Sequence, residues 1–172
     1  DVHSVYEALF LRAVVGFERY CETLFLEILD GNTRYSQKKV VCRVSNVSRW
    51  VVRDLLFHGK RYLDWLPYEH TGKRAELYLV ARGATKKDLG RPFFEVTKND
   101  KAQLETILAI RHAIAHASEH ALHKFESSVV KGRVLLPSER TPAGFLRSFV
   151  TVAPPQTQFE AYIAELGSIA AT

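Results

Sequence analysis

Apolar residues recur at helical spacing in three long stretches of the chain. The spacing of three and four residues between apolar positions is typical of helices that bury one face. The three stretches are residues 4–29, residues 100 to about 131, and residues 158–170. The middle stretch contains no Gly or Pro before Gly132, so it predicts one helix of about 30 residues.

Capping residues support these boundaries. Ser4, Asp100 and Thr157 each precede or open a stretch with a side chain suited to helix starts. Asp30-Gly31-Asn32 is a stop signal for the first helix. The middle and last stretches therefore have predicted starts, and the first has both ends predicted.

Shorter elements lie between the first two stretches. Ser45 or Ser48 is placed to cap a helix through residues 50–57, and Thr71 to cap a second one over residues 73–80. A β-branched run at Val40, Val41 and Val44 fits a strand or a loop. The Pro-containing segments after Gly132 are breaks. We therefore predict an all-α fold, a bundle of four to five main helices in a single domain spanning residues 1–172.

Composition narrows the class of protein. Apolar residues make up 47% of 172 residues, which is enough for a packed core. No apolar run approaches the ~18 residues of a membrane span, and residues 1–4 show no signal-peptide pattern. We expect a cytoplasmic protein without membrane partners. Because Met is absent, even from position 1, we expect either a trimmed chain or part of a longer polypeptide.

The charge is unevenly distributed along the chain. The net charge is +5, but residues 31–91 hold fourteen basic and five acidic side chains, giving +9 there and −4 elsewhere. Such a block fits either a surface for a polyanion or a solvated face. We name as candidate RNA-binding residues Lys38, Lys39, Arg43, Arg49, Arg53, Lys60, Arg61, Lys73 and Arg74.

Four histidines lie within twelve residues of the predicted middle helix, at His112, His116, His120 and His123. On one continuous helix they form a single stripe about 80° wide, a pattern that can bind a transition metal. Ala113 stands where a zincin has its general-base Glu. We therefore prefer the interpretation that the two outer histidines, His120 and His123, are exposed to solvent rather than bound to a metal. We predict no metal and no cofactor.

Arg111 and His116 in the phrase Ile110-Arg111-His112-Ala113-Ile114-Ala115-His116 form an Arg-x4-His motif on this helix. The phrase resembles the signature of the HEPN superfamily of ribonuclease-like domains. Residues 17–20, 62–68, 71–75, 90–93, 141–147 and 159–162 are similar to the RiboL-PSP-HEPN branch, so the resemblance covers nearly the whole chain. One departure is His112, where that family most often has Asn.

The resemblance implies a metal-independent endoribonuclease, often dimeric, acting in toxin, phage-defence or RNA-processing systems. His116 is then the general base or acid, Arg111 the phosphate clamp, and His112 an auxiliary donor. Five residues separate Arg111 from His116, about 140° on an ideal helix. Helix distortion, one wide groove or a composite site in a homodimer accounts for that angle, and we predict the homodimer. An antitoxin or other regulatory partner stays open.

Three alternatives compete with this assignment. The domain can be a non-catalytic RNA-binding or dimerisation module, or a bundle that binds metal through its histidines. Arg111 can instead form an ion pair with Glu18 or Glu22, and His116 can be a core imidazole whose hydrogen bonds are all made within the protein.

The aromatic residues Tyr62, Trp65 and Tyr68 fit a base-stacking platform, but their spacing favours a packed connector.

Overall fold

The computed structural model describes residues 1–30, 40–42, 48–60, 62–81 and 96–171. Helices account for most of these residues, so the predicted all-α class is confirmed. The described residues form two units. Unit 1 contains residues 1–17 and 99–171, and unit 2 contains residues 18–98. Among the described residues, no helix is both long and apolar enough to cross a bilayer.

Helix α1, Val2–Asp30, runs through both units. It begins two residues before Ser4, the predicted cap. The side chain of Asp1 instead accepts a hydrogen bond from the backbone N–H of His3 at 3.1 Å. The far end of the helix agrees with the predicted stop signal, and both units take buried apolar residues from it: Phe10, Val14 and Phe17 in unit 1, and Cys21, Phe25 and Ile28 in unit 2.

The described part of unit 2 also contains two short helices and a two-stranded ladder. Helix α2 spans Arg49–Phe57 and α3 spans Tyr68–Tyr78, while strands β1, Val40–Cys42, and β2, Leu79–Ala81, pair antiparallel. The predicted strand position at Val44 lies outside the described residues.

Thr71 lies inside α3 rather than capping it. The helix begins at Tyr68, directly after Pro67. The hydroxyl of Thr71 is fully buried and donates to the carbonyl of Trp65 at 2.6 Å. A Thr side chain that bonds backwards in this way fixes the entry to the helix without being its N-cap.

The predicted 30-residue helix is wrong, because it is two helices followed by a π-helical turn. Helix α4 spans Lys98–His116, α5 spans Glu119–Phe125, and the π turn spans Glu126–Val130. The interruption has a local cause. Ala117 adopts the left-handed conformation with φ 46°, and Ser118 then caps α5 by accepting from the N–H of Ala121 at 3.3 Å.

The remainder of unit 1 contains elements that the proline-rich sequence concealed. A 3-10 turn at Pro137–Arg140 precedes helix α6, Pro142–Arg147, whose N-cap Thr141 accepts from the N–H of Gly144. Strands β3, Phe149–Val152, and β4, Pro155–Thr157, pair antiparallel and lead into helix α7, Gln158–Ala171.

Helix α7 starts where the sequence predicts. Its capping residue Thr157 accepts from the N–H of Glu160 at 3.2 Å, while the Glu160 carboxylate accepts from the N–H of Thr157 at 2.8 Å. Its buried face packs rings against α1 and α6, with Tyr6 against Phe159 and both Phe10 and Phe145 against Tyr162. Unit 1 thus has an aromatic core that α1, α6 and α7 share.

Candidate active site

The three predicted catalytic residues lie on the last two turns of α4. Leu104, Ile107 and Leu108 form a buried apolar stripe on this helix. Arg111 lies three residues after Leu108 and continues the helical spacing of that stripe. Arg111 is half-buried, and it stands at a position of the stripe where an apolar residue would be expected. A cationic side chain at the edge of a core is suited to holding an anion more firmly than a fully solvated one.

The imidazoles of His112 and His116 are neighbours. They are four residues apart on α4, their ring centroids lie 5.6 Å apart, and their planes are inclined by 55°. His112 is half-buried and His116 is exposed. Two imidazoles at this separation can contact adjacent oxygens of one phosphodiester, and the exposed ring of His116 is accessible to such a substrate.

His116 is the last residue of its helix. The N–H of Ala117 still bonds to the carbonyl of Ala113 at 3.2 Å, but its φ of 46° turns the chain away. Because α4 is helical through His116, a distorted helix does not explain the angle between Arg111 and His116. The ideal separation of about 140° therefore stands, and the wide groove and the partner chain remain as explanations.

The predicted stripe of four histidines is wrong as a single helical feature. His120 and His123 lie on α5, beyond the left-handed residue Ala117, and both are exposed. Over the described ranges, no group of three His, Cys, Asp or Glu side chains is placed to hold a metal ion. Of these four residues, His112 and His116 form a close pair.

The predicted RNA-binding residues with describable positions belong to unit 2. Lys38, Lys39, Arg43 and Arg61 lie outside the described residues, as does the side chain of Arg49 on α2. Arg53 and Lys60 are exposed. The guanidinium of Arg53 lies 5.3 Å from the centre of the Phe57 ring on the same helix, which holds it near the surface of α2.

Lys73 and Arg74 already have partners within unit 2. Lys73 forms an exposed ion pair with Glu69 at 2.6 Å, and their hydrogen bond raises the pKa of Lys73 and lowers that of Glu69. Arg74 lies 5.3 Å from the centre of the Trp65 ring and donates to the carbonyl of Asp64. Burial lowers the pKa of Arg74, with the Asp64 charge opposing that shift. Both residues contribute to the structure of α3 and its connector.

Two of the three aromatic residues of the connector, Trp65 and Tyr68, are packed as their spacing predicts, whereas Tyr62 is not. Trp65 is 2% exposed and Tyr68 7% exposed, whereas Tyr62 is 73% exposed. The Trp65 ring lies 5.3 Å from that of Phe25, and its indole N–H donates to Glu22 at 3.2 Å. Trp65 and Tyr68 are therefore not a base-stacking platform. The carboxylate of Glu22, one of the two suggested as partners of Arg111, accepts a hydrogen bond from the indole.

Sequence reasoning also missed the contact between His3 and Arg147. His3, near the start of α1, and Arg147, at the end of α6, are in contact at 3.1 Å. They are separated by 144 residues, so no local spacing pattern reports the contact.

Comparisons of this chain with protein-family models, with curated proteins and with solved structures found no match.

Proposed function

We propose that the protein is a metal-independent endoribonuclease whose site is formed by Arg111, His112 and His116. The observation that carries the proposal is the His112–His116 pair, with centroids 5.6 Å apart and one exposed member, at the C-terminal end of a helix that also carries a half-buried Arg111. Two imidazoles and a permanent cation are the groups that cleavage of RNA by its own 2′-hydroxyl requires.

The chemistry follows from the positions of the groups. His116, the exposed imidazole, takes the proton of the 2′-hydroxyl when it is neutral, and the 2′-oxygen attacks phosphorus. The bond from phosphorus to the 5′-oxygen breaks, and a protonated His112 supplies the proton that the leaving oxygen needs. The products are a 2′,3′-cyclic phosphate and a 5′-hydroxyl.

Arg111 stabilises the charge on the phosphate oxygens in this scheme. Its fork of donors matches a phosphoryl group, and electrostatic stabilisation of this kind contributes most when the donor is preorganised. Arg111 and His116 lie about 140° apart on one helix. We therefore propose a homodimer in which the Arg111 of one protomer stabilises the phosphate whose neighbouring 2′-hydroxyl is deprotonated by the partner's His116.

The basic block provides the affinity for RNA. The net charge of +9 over residues 31–91 attracts a polyanion irrespective of its sequence, and the exposed Arg53 and Lys60 are describable members of that block. A cytoplasmic enzyme of a toxin or phage-defence system, held inactive by an antitoxin or other partner, is the setting we propose.

Cleavage of a labelled single-stranded RNA in excess EDTA tests the proposal. We expect a 2′,3′-cyclic phosphate product, and a rate that falls at both low and high pH because an acid and a base are both needed. Arg111→Ala and His116→Ala should each reduce the rate at least a hundredfold while circular dichroism stays unchanged. His120→Ala is the matched control, because it removes an exposed imidazole from α5 and should leave the rate unchanged.

Wild-type rates in both Arg111→Ala and His116→Ala would show that the site is elsewhere. RNA binding that weakens steeply with salt, without cleavage of any RNA, would instead assign a non-catalytic RNA-binding module. Stoichiometric zinc in the purified protein that is lost in His116→Ala would assign metal binding.

A mixing experiment tests the composite site. A heterodimer of Arg111→Ala and His116→Ala protomers retains one intact site, with Arg111 from one chain and His116 from the other. Random exchange makes about half of the dimers mixed, so we expect roughly a quarter of the wild-type activity. A site contained within one protomer gives no recovery.

A further inference from the structure

Unit 1 contains a cleft of about 200 Å³ whose lining residues do not include the histidines of α4. Its walls come from the start of α1, the 3-10 turn and α6. The residues that line it are His3, Ser138, Glu139, Gly144, Arg147 and Ser148. The volume is below the ~300–1,000 Å³ of pockets that take drug-sized ligands, so the cleft suits a small polar ligand.

The contact between His3 and Arg147 sets the donor and acceptor roles in this cleft. The Arg147 Nη1 atom lies 3.1 Å from the Nε2 atom of His3. A guanidinium has no acceptor, so Arg147 donates, and Nε2 of His3 carries no proton in this arrangement. The remaining N–H groups of an exposed Arg147 are a fork of donors at the cleft.

The opposite walls are fixed by hydrogen bonds of their own. The Glu139 carboxylate accepts from the N–H of Leu136 at 2.8 Å through Oε2, and the hydroxyl of the buried Ser148 donates to the carbonyl of Phe145 at 2.8 Å. Gly144 lies so close to the carbonyl of Ser138 that only a residue without a Cβ fits. The shape of the cleft is therefore set without a ligand.

We propose that this cleft binds a sugar phosphate. Arg147 and a ring N–H of His3 both donate to the phosphate oxygens, and the anion replaces the hydrogen bond between the two side chains. Glu139 disfavours a bare anion, but its Oε1 atom accepts a hydrogen bond from a neighbouring sugar hydroxyl. A ligand that carries a phosphate beside a hydroxyl satisfies both ends of the cleft, whereas orthophosphate satisfies one.

This proposal does not depend on the proposed nuclease chemistry, because binding is measured without RNA cleavage. The probe is ribose 5-phosphate, titrated into the intact protein while NMR follows the His3 imidazole and the Ser148 amide. We expect saturable shifts with ribose 5-phosphate, weaker binding of orthophosphate and none of ribose. Arg147→Gln should weaken binding of ribose 5-phosphate at least tenfold.

Two variants complete the test. Arg140→Gln is the matched control, since it removes the same charge from a guanidinium that pairs with Glu126 at 3.1 Å, and it should bind like wild type. Glu139→Gln should reduce the preference for ribose 5-phosphate over orthophosphate. The absence of saturable shifts, or equal binding by wild type and Arg147→Gln, overturns the proposal.

A further binding experiment distinguishes two sources of the sugar phosphate, a free metabolite and the 5′ end of an RNA. A short oligoribonucleotide with a 5′-terminal phosphate is compared with its dephosphorylated form and with ribose 5-phosphate. Tighter binding of the phosphorylated oligonucleotide identifies an RNA end as the source, and equal binding identifies a free sugar phosphate.

Discussion

The indole of Trp65 donates a hydrogen bond to the carboxylate of Glu22 across 3.2 Å and 43 residues of sequence. The same ring is 2% exposed, with Phe25 on α1 at 5.3 Å and the Arg74 guanidinium at 5.3 Å. One side chain thus joins α1, the connector and α3 within unit 2. The stability of unit 2 depends on Trp65 in two ways, through the burial of its apolar ring and through its hydrogen bond to a charged group.

Trp65→Phe separates these two contributions. Phe retains most of the apolar area but leaves the carboxylate of Glu22 without the indole N–H, so the free energy of unfolding should fall by about 1–3 kcal/mol. Trp65→Ala should lower it by about 3–5 kcal/mol, because a cavity is added. Urea titration measures both values. Tyr62→Ala removes an aromatic ring that is 73% exposed and should change the free energy little.

Gly144 and Gly167 should respond in opposite directions to substitution by Ala. A Cβ at Gly144 would overlap the Ser138 carbonyl oxygen, and this backbone atom belongs to the preceding 3-10 turn. Gly144→Ala should therefore lower the free energy of unfolding by about 1–3 kcal/mol. Thermal or urea unfolding measures the change.

Gly167→Ala is the matched control in α7. A Cβ at this position meets nothing within 4 Å, and Gly in a helix interior is less stable than Ala. The free energy of unfolding should rise by about 0.5–1 kcal/mol. Equal effects at the two glycines would contradict the close approach of Gly144 to Ser138.

Ala117→Gly distinguishes two helices from one continuous helix. With φ at 46°, Ala117 is strained and glycine is not, so the substitution should leave the free energy of unfolding unchanged or raise it by up to about 1 kcal/mol. In the interior of one long helix the same change lowers it by about 1 kcal/mol. The sign of the change in a urea titration therefore decides between the two arrangements.

The long helices could be predicted because their signals are local. The apolar spacing of α1 and α7 and the Thr157–Glu160 capping pair are read directly from the sequence. The end of α4 was missed because the prediction relied on Gly and Pro, whereas Ser118 provides the cap after a left-handed Ala117. That serine was the available signal.

Contacts between distant residues could not be predicted. The adjacency of His112 and His116 follows from their four-residue spacing, and the structure agrees at 5.6 Å. By contrast, the burial of Trp65 against Glu22 and the contact of His3 with Arg147 bring together residues 43 and 144 positions apart. Such pairs depend on tertiary packing, which neither helical periodicity nor capping residues report.

Alkaline pH should destabilise the fold through Cys21. Burial raises the pKa of this thiol from its ordinary 9.0 to about 12, and the neighbouring charge of Glu18 acts in the same direction. Burial likewise raises the pKa of Tyr68. A thiol that stays protonated in the folded chain but ionises in the unfolded chain favours folding below pH 9 and loses that contribution as the pH rises towards 12.

The slope expected from Cys21 alone is about 1.4 kcal/mol of unfolding free energy per pH unit above pH 9. Urea titrations at successive pH values measure it. Cys21→Ala removes the titrating thiol, so the variant should start less stable at pH 7 but lose stability less steeply above pH 9. Cys42→Ala alters the half-exposed thiol in strand β1 and is the control. Parallel slopes in wild type and Cys21→Ala would show that Cys21 ionises as readily in the folded chain as in the unfolded one.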